Sequence, residues 1–202
     1  MAQILYDIFE KAWKKTNSSS IWLYSDPHFG EVDLFQIRGD MTPEEQVKRI
    51  NSKVGKYDTI IFLGDIGDVE YIKKIRGYKV LIKGNHDKGL TNYSQIFDEV
   101  YGGELAISDK IRLTHIPDIS PYKLNIHGHC HPFSKLDFTG LSYNKIIQRH
   151  LEKTIEKVIP ELNLCCEYLD FYPINLNAIV KSGIFKLVKD PTRELIDSKD
   201  KK

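Results

Sequence analysis

The stretch Thr59-Ile60-Ile61-Phe62-Leu63-Gly64-Asp65-Ile66-Gly67-Asp68 decides the fold. An unbroken β-branched and aromatic run this short reads as a central strand, buried on both faces. Gly64 then allows a sharp turn, and a carboxylate follows at once. The same order recurs on either side. Ile21–Tyr24 is a buried strand leading to Asp26, and Lys79–Ile82 leads to Asn85. Further on, Ile111–Thr114 leads to His115 and Leu124–Ile126 to His127.

Helices fall between and after these strands. Thr42-Pro43-Glu44-Glu45 opens one, with Thr42 as N-cap, Pro43 in the first helical position and Glu45 closing a capping box. Its apolar positions Val47, Ile50 and Val54 carry it to about Val54. Val69–Ile75 is predicted helical, Tyr143–Val158 helical, Leu162–Glu167 a strand, with a short helix after Asn175. Strands alternate with helices early and follow one another later, which is the pattern of an α/β sandwich.

A chain of 202 residues suits one domain with small appendages. The expected division is a helical extension over 1–19, a domain over 20–190 and a charged tail over 191–202. In the extension, Ile4, Leu5, Ile8, Phe9, Ala12 and Trp13 recur at helical spacing, for packing on the domain or for dimerisation. The expected state is a monomer or homodimer. The net charge of +1 offers no bulk field for nucleic acid or an anionic membrane, so an anionic ligand needs a local site. Three cysteines, two of them adjacent, make no disulfide framework. With no apolar run of membrane-spanning length and no basic leader, a cytoplasmic setting is expected.

Six of the seven histidines lie in clusters just beyond strand-like runs. They are His28, His86, His115, His127, His129 and His131; His150, on a helical stretch, is expected at the surface. Ligands of open α/β sheets bind at the carboxyl ends of strands, where these clusters would converge. Asp26 and His28 stand two apart, so both side chains can reach one ion, and His129 and His131 repeat that relation. Asp65 has two oxygens and can bridge two ions, while Asn85 adds a ligand without adding charge. Mixed Asp, Asn and His donors suit Mn, Fe, Zn or Ni better than a thiolate zinc site or an all-oxygen calcium cage.

Taken in order, Asp-x-His, Gly-Asp-x-x-Asp, Gly-Asn-His-Asp, a lone His and Gly-His-x-His resemble the calcineurin-like metallophosphoesterase superfamily. Small single-domain members of microbial or phage type are the nearest in kind. The resemblance continues more faintly through Cys166-Glu167 and Tyr172-Pro173-Ile174. It implies a four-layer α/β/β/α sandwich with a dinuclear metal site at the C-terminal ends of the strands. One ion would be held by Asp26, His28, Asp65 and His131, the other by Asp65, Asn85, His115 and His129, with manganese the leading metal. His86 would be the general acid and Asp87 would orient it. The implied reaction is hydrolysis of a small phosphodiester or phosphomonoester, a nucleotide among the options, by in-line attack of a hydroxide shared between the ions. A nuclease acting on nucleic acid and a non-catalytic scaffold are the alternatives.

Other residues carry plainer expectations. Arg38, in the loop after Asp26-Pro27-His28, is the candidate for gripping substrate phosphate, ahead of Arg49 and Arg76. His127 is either a partner of a ligand or a structural residue at a strand end. Asp68 is expected to cap or bond within its loop, and Cys130 to point away from the metals.

Overall fold

The computed structural model describes residues 20–89 and 93–189. The expected extension and tail lie outside the described residues. Five strands form the first sheet in the order β4-β3-β2-β1-β9. These are β1 (Ile21–Tyr24), β2 (Thr59–Phe62), β3 (Tyr78–Ile82), β4 (Glu99–Tyr101) and β9 (Ile174–Asn175). The first four run parallel, with Tyr24, Phe62 and Leu81 on one rung, and β9 runs antiparallel to β1. A second sheet holds β5 (Leu105–Ala106), β6 (Ile111–Leu113), β7 (Leu124–His127) and β8 (Glu161–Asn163), in sequence order.

Strand alternation explains why the sheets stack. Leu23, Ile61, Leu63, Val80 and Ile82 point to one face of the first sheet and meet Leu113, Leu124, Ile126 and Leu162 of the second in one core. Tyr24, Ile60, Phe62 and Leu81 point the other way, onto Val47 and Ile50 of helix α2 (Pro43–Asn51). A one-turn helix α1 (Phe35–Arg38) precedes α2. Helix α3 (Tyr143–Glu156) lies against β8, and α4 (Leu176–Lys181) against β1 and β9. No helix among the described residues is long and apolar enough to cross a membrane.

Most local signals hold. Thr42 Oγ1 accepts the Glu45 N–H at 3.2 Å, and Asn175 caps α4 through the Asn177 N–H at 2.8 Å. Three expectations change. Helix α2 stops at Asn51, although Val54 still reaches the core. Val69–Ile75 shrinks to a 3-10 turn at Ile72–Lys74, because the chain must reverse through Gly77 (φ 88°) before β3 begins. Strand β8 ends at Asn163, whose Oδ1 accepts the Cys165 N–H at 2.9 Å and turns the chain toward Ser25 of the first sheet.

His150 is not a surface residue. Its ring is half-buried beside Tyr168, and Nε2–H donates to the Asn163 carbonyl at 2.7 Å. Burial pushes its pKa down to about 4. An unfolded histidine titrates near ~6.5, so between ~6.5 and ~4 only the unfolded chain takes the proton. This contribution to stability is therefore full above that window and lost as pH falls through it. Its upper bound is about 3 kcal/mol. Denaturant unfolding from pH 4.5 to 7 should show a shallower pH slope in His150→Gln than in the parent, and equal slopes would refute the assignment.

Candidate metal centre

Hydrogen bonds at the strand ends bring the clusters together. The Asp26 N–H reaches the Gly64 carbonyl at 3.1 Å and the His28 N–H reaches that of Asp65 at 3.0 Å. The Gly128 N–H reaches the His115 carbonyl at 3.0 Å, and a parallel bridge between Ser25 and Cys165 joins the two sheets. Two glycines permit this crowding. A Cβ on Gly64 would sit 2.6 Å from both Gly84 N and His115 Nδ1, and one on Gly128 would collide with Ser25 and Asp26. Seven non-glycine residues among those described have positive φ, and Asp26, His28, Asp65 and His129 are four of them. Such backbone persists where its surroundings over-determine it, and it concentrates at functional sites.

The side chains converge. Asp65 Oδ2 lies 3.2 Å from His115 Nε2 and 3.6 Å from His28 Nε2. Asp26 Oδ1 lies 3.6 Å from His131 Nε2 and 4.0 Å from His28 Nε2. His129 Nδ1 is 3.2 Å and Asn85 Oδ1 2.8 Å from His115 Nε2. All seven expected donors therefore face one small volume. Three cation-sized donor groups fall within it: Asp26-His28-Asp65, Asp65-His115-His129, and Asp26-His131 with Cys165.

What sits behind each imidazole decides which nitrogen it presents. The Nδ1 of His28 pairs with Glu31 at 2.6 Å, that of His131 with Glu167 at 3.1 Å, and that of His115 with the Leu63 carbonyl at 2.8 Å. An acceptor at Nδ1 takes the ring proton there, which leaves the Nε2 lone pair facing inward. His28 Nε2 is buried and has no hydrogen-bond partner. A buried orphan nitrogen costs free energy unless something completes it, and a cation between it and the carboxylates does so.

The electrostatics agree. Burial works against charge on His115 and His131, yet the facing carboxylates raise both pKa values: Asp65 and Asp26 for His115, Glu167 and Asp26 for His131. Burial likewise opposes charge on Asp65, and the His115 contact and the His86 N–H still lower it. The same negative charge that draws protons toward these rings would also draw cations. Cys165 contributes differently. Its thiol is pushed up chiefly by burial and lies 3.4 Å from Asp26 Oδ2 as a neutral donor.

Two expected roles are corrected. Arg38 does not reach out for phosphate. It is buried, with Nε 2.7 Å from Glu167 Oε1 and a second nitrogen donating to the Asp26 carbonyl at 2.6 Å; a third donates to Pro27. Asp87 does not touch the His86 ring. Its carboxylate accepts the backbone N–H groups of Gly84, Asp65 and Ile66 at 2.7, 2.9 and 3.0 Å, which locks two strand-end loops together. His86 stands exposed at the mouth, its ring 5.4 Å from that of His28. Asp68 bonds the Glu70 N–H within its own exposed loop, and Cys130 is exposed. His127 is buried, bonded to the Gly128 carbonyl, and burial lowers its pKa; it serves the strand end. Sequence reasoning missed Glu31 and the functional place of Glu167. Spacing could have suggested Glu31, three residues after His28, whereas Glu167 lies far along the chain from the residues it holds.

Fold and site together define a two-sheet α/β protein whose strand ends can hold divalent cations. The chain belongs to the calcineurin-like phosphoesterase family, which it matches over residues 19–176. It is a metal-dependent phosphoesterase in that family's general sense. Its fold resembles the crystal structure of AQ665 from Aquifex aeolicus, a protein of unknown function, with a TM-score of 0.62. The two are 23% identical over 81% of this chain and 99% of that one. No curated protein matches the sequence.

Proposed function

We propose that the protein is a dinuclear phosphoesterase that hydrolyses small phosphodiesters or phosphomonoesters, with manganese as the working metal. The observation that carries this reading is the orphaned His28 Nε2 facing Asp65 and Asp26. Asp26, His28, Asp65 and His131 would hold one ion, and Asp65, Asn85, His115 and His129 the other. When bound, such a pair supplies an activated water and neutralises phosphoryl charge.

The chain's own residues supply the rest. Glu31, Glu167 and the Leu63 carbonyl hold three imidazoles in the tautomer that turns Nε2 inward. Asp87 fixes the backbone that carries Asp65, Asn85 and His86. His86, exposed with its ring beside that of His28, would hand a proton to the departing oxygen. The net charge of +1 favours small esters over a polymeric nucleic acid.

The test is turnover of bis-p-nitrophenyl phosphate and p-nitrophenyl phosphate by protein reconstituted with Mn²⁺, with bound metal counted. Hydrolysis of either ester with about two ions per chain supports the reading. No hydrolysis, or fewer ions, overturns it. His86→Ala should lower kcat by about 10² to 10⁴ and leave the metal count unchanged. Loss of metal in that variant would make His86 a ligand instead.

A further inference from the structure

A cavity walled by Phe35 opens beside His28 and belongs to the metal centre already described. Another hollow, of about 580 Å³, is a groove between α3 and α4 that shares no residue with that centre. Its α3 wall is one stripe, Tyr143, Ile147, Leu151 and Ile155, recurring every four residues along the helix. Ala178 lines it from α4 and Trp22 from β1. Ile147 and Leu151 are buried in the core, whereas Tyr143, Ile155, Ala178 and Trp22 are only half-buried. Apolar groups that face water along one groove lose free energy, and an apolar occupant removes that loss. The groove also lies beside β9, the short edge strand of the first sheet, whose Asn175 lines it.

The chain itself supplies an occupant of the right kind, length and place. Trp22 pairs with Asn175, the N-cap of α4, and Ser20 stands two residues before Trp22. At the rise of an extended strand, the residues that precede Ser20 therefore leave the domain within about 7 Å of a groove-lining residue. In that segment Ile4, Leu5, Ile8, Phe9, Ala12 and Trp13 fall on one stripe at helical spacing. Residues 4–13 as a helix span about 15 Å, and the α3 stripe from Tyr143 to Ile155 spans about 18 Å. Residues 14–19, extended, reach about 20 Å, enough to turn the stripe back along α3. The charges also match. At about 100° per residue, Lys11 borders the apolar stripe on one side and Glu10 on the other. The groove carries Glu152 on its α3 wall and Lys181 on its α4 wall. Of the two directions in which a helix can lie there, one sets Lys11 toward Glu152 and Glu10 toward Lys181.

We infer that this groove is the docking site of the chain's own N-terminal segment: residues 4–13 lie as a helix between α3 and α4, apolar stripe inward on Trp22, Tyr143, Ile155 and Ala178. The sequence holds two tryptophans, Trp13 and Trp22, so fluorescence can follow the segment in the full chain. In Trp22→Phe, which keeps an aromatic ring in the groove, Trp13 is the sole indole. Its emission should lie to the blue of free tryptophan and resist acrylamide quenching, because docking takes the ring out of water. Ala178→Glu, made in that background, puts a charge into the groove and should lose both the blue shift and the protection. Ile8→Glu charges the segment instead and should release Trp13 in the same way. Circular dichroism and thermal unfolding of each variant check that the domain stays folded. Sedimentation should show that the blue shift belongs to the monomer and does not vary with protein concentration. Emission and quenching of a solvent-exposed indole in the Trp22→Phe protein overturn the inference. So does a blue shift that Ala178→Glu and Ile8→Glu leave in place. A blue shift that grows with concentration alongside a dimer overturns it too, and makes a second copy of the chain the occupant.

Discussion

Asp65→Asn should lower turnover about a thousandfold or more and cut bound metal from about two ions per chain to about one or fewer. Asp65 Oδ2 is the atom that both halves of the nest share, within 3.2 Å of His115 Nε2 and 3.6 Å of His28 Nε2. Its Oδ1 meanwhile accepts the His86 N–H at 2.9 Å, so asparagine can keep the shape and that bond. What it loses is the charge between the two proposed cation positions, and an amide NH₂ in the Oδ2 place would turn a donor toward them. Folding should survive because the side chain's volume is unchanged. The measurements are steady-state kinetics and metal analysis, with thermal unfolding to exclude a misfolded variant. Asp68→Asn is the control, since Asp68 only bonds the Glu70 N–H in an exposed loop. Full activity with the full metal count in Asp65→Asn would end the shared-carboxylate assignment.

Glu167→Ala should be the most destabilising single change at the site, by about 3–5 kcal/mol. Glu167 is 2% exposed and Arg38 7% exposed, so removing the carboxylate strands a guanidinium away from water. Burial works against charge on Glu167, and the His131 contact together with Arg38 still lowers its pKa, so the pair is ionised when folded. For a chain of this length the loss corresponds to a Tm drop of roughly 10 °C. The same variant frees His131 Nδ1, which should weaken metal affinity about 10- to 100-fold. Glu167→Gln separates the two effects. It keeps an acceptor and the volume, so it should lose less stability than alanine while still weakening metal binding. An unchanged Tm in Glu167→Ala would show that Arg38 finds other partners.

The arginine result shows where sequence reasoning reaches its limit. Arg38 sits in a loop close to a ligand motif, and loop arginines near phosphate sites usually meet phosphate. Nothing local signals that Glu167, contributed from beyond β8, comes to its Nε. Asp87 is a similar case. Adjacent to His86, it reads as that residue's partner, yet the turn aims its carboxylate back at three backbone N–H groups. His150 lies beyond a local reading because a helical face is polar or buried only relative to neighbours, and here Asn163 and Tyr168 are those neighbours.

By itself the sequence determined the buried strands, the cap of α2, the short helix after Asn175 and the polar residues that stand at the strand ends, because each depends on residues a few positions apart. A buried strand must be apolar on both faces, a helix start needs a capping oxygen, and a donor must stand just past a strand end. The tertiary structure alone decided which acceptor stands behind Nδ1 of His28, His115 and His131, the inward turn of Arg38 and the cavity walled by Phe35. Those depend on which distant segment arrives opposite, and the packing of two sheets sets that through contacts spaced more than a hundred residues apart, as between Arg38 and Glu167.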